Sequence, residues 1–294
     1  MLGRPGRLEF AALLICVSAS AFGQAVGMLT VAEGGVVLVR GSTTYTAGQG
    51  VALQNGDMLA LGPKGQVQIE FEDGAILNLT RGSRAWLLGP QSPGGEIGVA
   101  LQPGWVKFTW TKAAKGRPYR YIMPLASLSA ARATGVLRIG ESSAEAFIES
   151  GAARLVELSR TGSPAAGRDV KGGEFAVRSA AQALAVSPRP SAEFIKAMPG
   201  YFRDDLPVFL SRARTAKSEP TREHEATYAE VEPWLKAPTP IRKHLVERFR
   251  SRAKDPQFRG KLIENLAAHP EWDRILFPEK YKEGTEKAEK AQTR

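Results

Sequence analysis

Residues 34–88 constrain the fold more than any other part of the sequence, because short apolar runs alternate there with turns that contain glycine. The clearest run is 66–72, in which three apolar residues alternate with four polar ones. Successive side chains of a strand point to opposite faces, so this pattern predicts a half-buried strand. Phe71 is expected on its buried face, and Glu70 and Glu72 on its polar face.

The residues that follow predict a tight hairpin. Asp73-Gly74 comes directly after the strand, and residues 75–80 again alternate between apolar and polar. An Asp-Gly pair supplies the positive φ angles that a type I′ turn needs at both central positions. Similar turn signals at 55–57 and 62–65 separate the neighbouring apolar runs. This region is therefore predicted to be a series of short antiparallel strands.

Strand patterns continue to residue 177. They occupy 97–110, 136–139, 144–149, 154–158 and 175–177, with glycine-containing turns between several of them. Strands spaced about ten residues apart, with no helical pattern between them, indicate an all-β sandwich, roll or short solenoid without helical crossovers.

The order of glycine, apolar and charged residues in this part resembles the FecR domain, a β-module of the envelope of Gram-negative bacteria. The resemblance covers residues 29–178 and lies in Gly34-x-Val36, Arg40-Gly41, Gly50-x-x-Leu53-x-x-Gly56-Asp57-x-Leu59, Gly65-x-Val67-x-Ile69-x-Phe71-x-Asp73-Gly74-x-x-Leu77 and Ser83-Arg84. Where the family continues with Thr-Pro-x-Ala and Val-Arg-Gly-Thr, this chain has Met123-Pro124-Leu125-Ala126 and Arg132-Ala133-Thr134-Gly135. Family members that act as regulators have a cytoplasmic region that binds a sigma factor, followed by a transmembrane helix, and we expect neither here.

The first 25 residues have the order of regions found in a secretory signal peptide. Arg4 and Arg7 precede an apolar run at 10–17, and small residues lead to predicted cleavage sites at Gly23 or Ala25. The alternative, a membrane anchor, needs roughly 20 apolar residues, and this run is shorter. We therefore expect a periplasmic protein with no transmembrane segment after cleavage. Its mature form would lack the single cysteine, and with it any disulfide or cysteine metal site.

The periodicity of the sequence changes at 187–190, where Ser-Pro-Arg-Pro predicts a linker. Beyond it, apolar residues recur at helical spacing. Helix-capping signals occur at Ser191, Thr239-Pro240 and Asp255-Pro256, and another helix is expected to begin near Thr221.

The sequence thus predicts an α+β protein. Its expected parts are a signal peptide at 1–25, a FecR-like β-domain at 26–186, a linker at 187–190, a small C-terminal helical bundle at 191–282 and a disordered tail at 283–294. The two folded parts are expected to be separable at the linker, because the periodicity changes from two to 3.6 there.

Charge and residue types argue against nucleic-acid binding and against catalysis. The formal net charge is +10, with lysine and arginine spread over both halves, and export excludes nucleic acid in favour of anionic envelope surfaces. The histidines at 224, 244 and 269 match no metal-ligand spacing. The mature chain also shows no set of nucleophile, base and orienting group. We expect no catalytic residue, no metal and no cofactor.

Aromatic and basic residues supply the candidate ligand or partner contacts, which are Trp86, Trp105, Lys112, Lys115, Arg117, Tyr119 and Arg120. Trp105 would either stack on a sugar or be partly buried against a neighbouring strand, and burial is the commoner state of tryptophan. The basic loop 112–120 would either bind an anionic ligand or form a solvated hairpin tip.

The sequence therefore predicts a non-catalytic periplasmic interaction protein that offers sheet edges and loops to an envelope protein partner, in a scaffolding or regulatory role. The alternative is a binding module for an anionic glycan, such as peptidoglycan or an exported polysaccharide.

Overall fold

The computed structural model describes residues 24–90, 92–110, 116–159 and 161–281. Nearly all of the predicted signal peptide, together with Lys112, Lys115 and the predicted tail 283–294, lies outside these residues. No helix in the described part of the chain is long and apolar enough to cross a bilayer.

Strands fill the first two thirds of the described chain, and helices most of the rest. The strands are β1 (Ala25–Glu33), β2 (Val36–Arg40), β3 (Thr43–Ala47), β4 (Ala52–Gln54), β5 (Met58–Leu61), β6 (Gln66–Phe71), β7 (Ala75–Leu79), β8 (Arg84–Pro90), β9 (Ile97–Leu101), β10 (Gly104–Trp110), β11 (Tyr119–Ile122), β12 (Ala126–Ala130), β13 (Thr134–Ile139), β14 (Ser143–Ser150), β15 (Ala152–Leu158), β16 (Pro164–Lys171), β17 (Phe175–Ser179), β18 (Ala185–Ser187) and β19 (Thr221–Glu225). The α-helices are α1 (Ala192–Ala197), α2 (Leu210–Thr215), α3 (Tyr228–Leu235), α4 (Thr239–Arg248), α5 (Pro256–Glu264) and α6 (Asp273–Leu276).

The strands form two large sheets. Sheet A has the order β18-β17-β14-β13-β10-β7-β6-β1-β4, and sheet B has the order β16-β15-β12-β11-β9-β8-β5-β2-β3-β19. Neighbouring strands are antiparallel except β9 and β11, which are parallel. The chain passes repeatedly from one sheet to the other, so each sheet contains strands from distant parts of the sequence.

One apolar core joins the inner faces of the two sheets. Ile69 and Leu77 of sheet A and Leu38 and Leu128 of sheet B are fully buried members of it. Phe71 is 3 % exposed, which agrees with the face predicted from the alternating pattern. The α+β class and the predominance of strands in the first part of the chain are therefore correctly predicted.

The central hairpin is present, but its turn differs from the predicted type I′. Three residues separate β6 from β7, and the N–H of Gly74 donates to the carbonyl oxygen of Phe71 at 3.0 Å. Gly74 has φ 89°, and Asp73 is not among the described residues with positive φ. A three-residue loop with one left-handed glycine at its end explains this geometry, because only that glycine must adopt positive φ.

The helices lie in two groups on opposite outer faces of the sheets, not in the single bundle predicted. On the outer face of sheet A, Phe194, Met198 and Phe202 pack against Val136 and Phe175. On the outer face of sheet B, residues from α3 to α6 share an apolar cluster with four strand residues, Val39, Met58, Trp86 and Ala100. Secondary structure changes across 187–190, and separability of the two parts there stays a prediction.

Two of the capping signals act as predicted. The Ser191 side chain accepts a hydrogen bond from the Phe194 N–H at 3.1 Å, and Asp255 accepts one from the Phe258 N–H at 2.8 Å. The helix expected near Thr221 is wrong, because Thr221–Glu225 is strand β19, paired with β3. The open edge of β3 satisfies the backbone of this segment, and α3 begins only at Tyr228, after the capping residue Thr227.

Candidate functional site

The predicted contact residues do not converge on one site. Trp86 is 4 % exposed and lies beneath α3, where its ring packs edge-on against Trp234 at 5.9 Å between centroids. Helical residues that are distant in sequence cover it, so the structure places Trp86 beneath the helices, and its contact with a ligand stays a prediction.

Trp105 is half-buried on the outer face of sheet A, as the second of its two interpretations predicted. Its ring lies 5.0 Å from that of Phe194, and the Arg138 guanidinium sits 5.6 Å from its centroid. The covering residue comes from helix α1 instead of a neighbouring strand.

The predicted basic loop is shorter than expected, because β11 already begins at Tyr119. Tyr119 is 1 % exposed, and its hydroxyl donates to the Asp73 carboxylate at 3.1 Å. Burial and the neighbouring Asp73 charge raise the pKa of Tyr119. Its side chain is largely inside the core, so contact between Tyr119 and a ligand stays a prediction.

The other two candidate contact residues in the described part of the loop, Arg117 and Arg120, lie apart from each other. Arg117 is exposed beside a cleft of about 340 Å³ at one end of the sheets, and Tyr119 lines the inner wall of that cleft. Arg120 faces a small cavity of about 120 Å³ between sheet B and α4, together with His244. Its Nη2 donates to the Ser127 hydroxyl at 3.3 Å.

Sheet edges were the other predicted binding feature, and three of the four edges in the described part of the chain are protected. β4 is three residues long, and Ser218 pairs beside it with Val51. β18 is also three residues long and runs into Pro188 and Pro190, which cannot donate to a further strand. The third edge is β19, which pairs with β3 and is a five-residue strand with the charged sequence Thr-Arg-Glu-His-Glu.

The fourth edge, β16, is the long and open one. It spans eight residues, six of them exposed, and it is the terminal strand of sheet B. Val170 is buried in the core, and Asp169 is paired with Arg154 of β15 at 2.8 Å. Among the described residues, Arg168 has no ion-pair partner. An exposed edge of this length presents unpaired N–H and C=O groups on which another strand can pair.

Sequence reasoning missed β16 because its residues carry no alternating apolar pattern. Its sequence is Pro-Ala-Ala-Gly-Arg-Asp-Val-Lys, in which valine is the one large apolar residue. The available signal was indirect, since glycine turns at 162 and 172–173 leave room for a strand between them.

The polar face of the central hairpin forms a buried hydrogen-bonded cluster, although it was predicted to be solvent-exposed. Gln68, Glu70 and Lys107 are 2 %, 2 % and 1 % exposed, because residues 199–215 cross above them. We call residues 199–215 the C-terminal strap. Lys107 Nζ donates to the carbonyl oxygens of Phe202 and Asp204 at 2.7 and 2.9 Å. The cluster is thus occupied by the protein's own main chain.

Titratable groups in the described residues form no metal site, since no three metal-ligating side chains come together there. His224 contacts Glu230 at 3.0 Å, and the buried His269 contacts the Tyr228 hydroxyl at 3.1 Å. Burial lowers the pKa values of His244 and His269, which keeps both neutral at neutral pH.

Comparison with known proteins gives few relatives. No protein-family model matches the chain, and no curated protein matches it. Two crystal structures of a candidate anti-sigma factor from Parabacteroides distasonis are similar, with 12 % and 11 % sequence identity and a TM-score of 0.39 in each case. Each match covers 48 % of this chain and 63 % or 62 % of the other, so it spans less than two thirds of those proteins.

Proposed function

We propose that this protein is an exported, non-catalytic interaction protein of the cell envelope, built on a FecR-like β-domain, that binds a partner protein by strand addition to β16. The observation that carries the proposal is the long exposed edge of β16, since the other three sheet edges formed by the described residues are short, charged or covered. Strand addition obtains its affinity from main-chain hydrogen bonds, so it needs no preformed pocket. Export and the FecR-like family come from the sequence pattern described above.

The charges of β16 limit the ways in which it can pair with a second copy of this chain. In a two-fold antiparallel pair, two directly opposite residues have the same orientation towards the partner strand, so their numbers share parity. Pairing centred on Arg168 or on Asp169 sets like charges opposite each other, which is unfavourable, whereas pairing centred on Val170 sets Asp169 opposite Lys171. A strand with an acidic residue opposite Arg168 would pair better.

Two proline variants test the mode of binding. Arg168→Pro and Asp169→Pro change neighbouring exposed residues in the regular part of the β15–β16 ladder, and only one of the two removes an N–H that points away from β15. The mature chain and both variants are incubated with envelope extract, and the captured proteins are identified by mass spectrometry. We expect one captured protein to be missing with the variant whose removed N–H points away from β15. That variant should keep the melting temperature of the parent protein.

Retention of the partner by both variants would contradict strand addition at β16. Sedimentation with purified peptidoglycan tests the alternative separately, since a peptidoglycan-binding module should pellet with it whether or not β16 binds a partner strand. Size-exclusion chromatography of the protein alone should show a monomer.

A further inference from the structure

A groove of about 610 Å³ opens at the rim of sheet A. It is separate from β16, which lies at the edge of sheet B. We call it the rim groove. It is lined by the end of β1, two turns, one residue of β10 and the start of the C-terminal strap, and its residues include Glu33, Lys64, Arg81, Trp105 and Tyr201.

Two turns are tied together on one side of the rim groove. The N–H of Gly82 donates to the carbonyl oxygen of Gly62 at 3.2 Å, and the N–H of Leu61 donates to that of Ser83 at 3.1 Å. These bonds hold the β5–β6 turn beside the β7–β8 turn. Lys64 and Arg81 stand at the tips of these turns, so two cationic side chains that are 17 positions apart in sequence line the same groove.

The opposite side carries a tyrosine that is held in place but remains accessible. Tyr201 is 38 % exposed, and its ring packs edge-on against the fully buried Phe202 at 4.8 Å between centroids. Burial raises the pKa of Tyr201 to about 12, so its hydroxyl remains a hydrogen-bond donor at neutral pH. Arg81, Glu33 and Tyr201 all line this groove.

The charged side chains of the groove lack partners within the described chain. Lys64, Arg81 and Glu33 are exposed, and none of them takes part in an ion pair among the described residues. The groove therefore offers two cations, a hydroxyl donor and one acid, beside the exposed ring of Tyr201 and the half-buried ring of Trp105.

We propose that the rim groove binds an acidic saccharide. An arginine matches a carboxylate with two parallel hydrogen bonds, and Lys64 adds a second positive charge. A sugar ring presents an apolar C–H face that fits the Tyr201 ring, while its hydroxyls find donors and acceptors in Tyr201 and Glu33. Concave sites with aromatic walls and a few converging polar groups are the usual form of a ligand pocket. This site shares Trp105 with the contacts predicted from sequence and adds residues that the sequence did not indicate.

Isothermal titration calorimetry with hexagalacturonate, and with the neutral galactose hexamer, tests the proposal on the mature protein. We expect saturable binding of hexagalacturonate, weakened at least about tenfold by Arg81→Ala and by Tyr201→Ala, which corresponds to 1.4 kcal/mol or more. Lys243→Ala removes one exposed positive charge from α4, outside the groove, and should leave the affinity unchanged within about twofold.

Several results would overturn the proposal. They are no saturable heat with hexagalacturonate, equal losses in Arg81→Ala and Lys243→Ala, or binding of hexaglutamate as tight as that of the sugar, which would assign the groove to acidic peptides. Tyr201→Phe keeps the ring and removes the hydroxyl, so it checks the stacking contribution if Tyr201→Ala lowers the melting temperature.

Discussion

The two outer faces of this protein are both covered by the C-terminal part of the chain, but by opposite kinds of contact. Over sheet B the cover is mainly apolar, with Trp234 packed on Trp86. Over the centre of sheet A it is mainly polar, with Lys107 and Glu70 bonded to the main chain of the C-terminal strap.

Each face also contains one element of the other kind. On the sheet B side, Arg248 donates to the carbonyl oxygens of Val39, Gly41 and Gly56 at 2.9, 2.7 and 2.5 Å. Burial lowers the pKa of Arg248 to about 10, which still leaves it charged at neutral pH. On the sheet A side, apolar anchors such as Phe194 flank the polar centre.

The difference shows how a polar sheet face can be buried without a large loss of stability. A buried polar group is costly only when it lacks a partner, and an irregular main-chain segment supplies donors and acceptors that a helix has already used. The C-terminal strap between Arg203 and Phe209 has no regular secondary structure, so its peptide groups are free for this purpose. We therefore expect the apolar cover to dominate global stability and the polar cover to control local opening.

The largest effect should come from the apolar cover. Trp234 is 1 % exposed, so Trp234→Ala should lower the free energy of unfolding by about 3–5 kcal/mol, as expected for emptying a buried aromatic site. Urea denaturation followed by fluorescence and circular dichroism measures it. Ile263→Ala on α5, at a side chain that is 42 % exposed, is the control and should cost much less. Similar losses in both variants would mean that the helices do not depend on this contact.

An intermediate effect is expected from the polar cover. Lys107→Met keeps the length of the side chain but removes the donor to the carbonyl oxygens of Phe202 and Asp204 and the ion pair with Glu149 at 2.9 Å, which together should cost about 2–3 kcal/mol. In Lys107→Met, amide hydrogen exchange should become faster than in the parent protein, and more so in the C-terminal strap than in α3. Lys196→Met on α1 loses an exposed charge and should change little. Unchanged protection of the strap in Lys107→Met would contradict the role given to this side chain.

Alternation in the sequence predicted the inner faces of the sheets well, and the same rule explains where it failed. Phe71 is buried as predicted, because one apolar face of a strand must meet the core. Glu70 was predicted to be exposed, but the residue that covers it, Phe209, is 139 positions away. A local pattern shows that a face is polar. It does not show whether water or a distant main chain meets that face.

The candidate sites could be predicted only in part, for a similar reason. Trp105 stood out as an aromatic residue in a strand, whereas Lys64, Arg81 and Tyr201 meet only because two turns and the C-terminal strap converge. The open edge of β16 depends on strand order, which no local pattern supplies. Strand β19 was mistaken for helix because its pairing partner β3 is distant in sequence.

The smallest effects separate two glutamates on one strand that the sequence treats alike. Glu70 accepts from the N–H groups of Phe209 and Leu210 at 2.7 and 3.0 Å, so Glu70→Gln replaces one acceptor oxygen by a donor and should cost about 1–2 kcal/mol. Glu72 is paired with Arg214, and both side chains are about half exposed, so Glu72→Gln should cost at most about 0.5 kcal/mol. Thermal and urea unfolding of the two variants, measured side by side, tests the pair. Because each variant removes one negative charge from β6 or the residue after it, their difference isolates the contact with the strap from the change in net charge. If the two losses were equal, the main-chain contacts of Glu70 would contribute nothing measurable, and the distinction between a polar and an apolar cover would rest on Lys107 and on Gln68, whose Nε2 donates to the carbonyl oxygen of Pro207 at 2.7 Å.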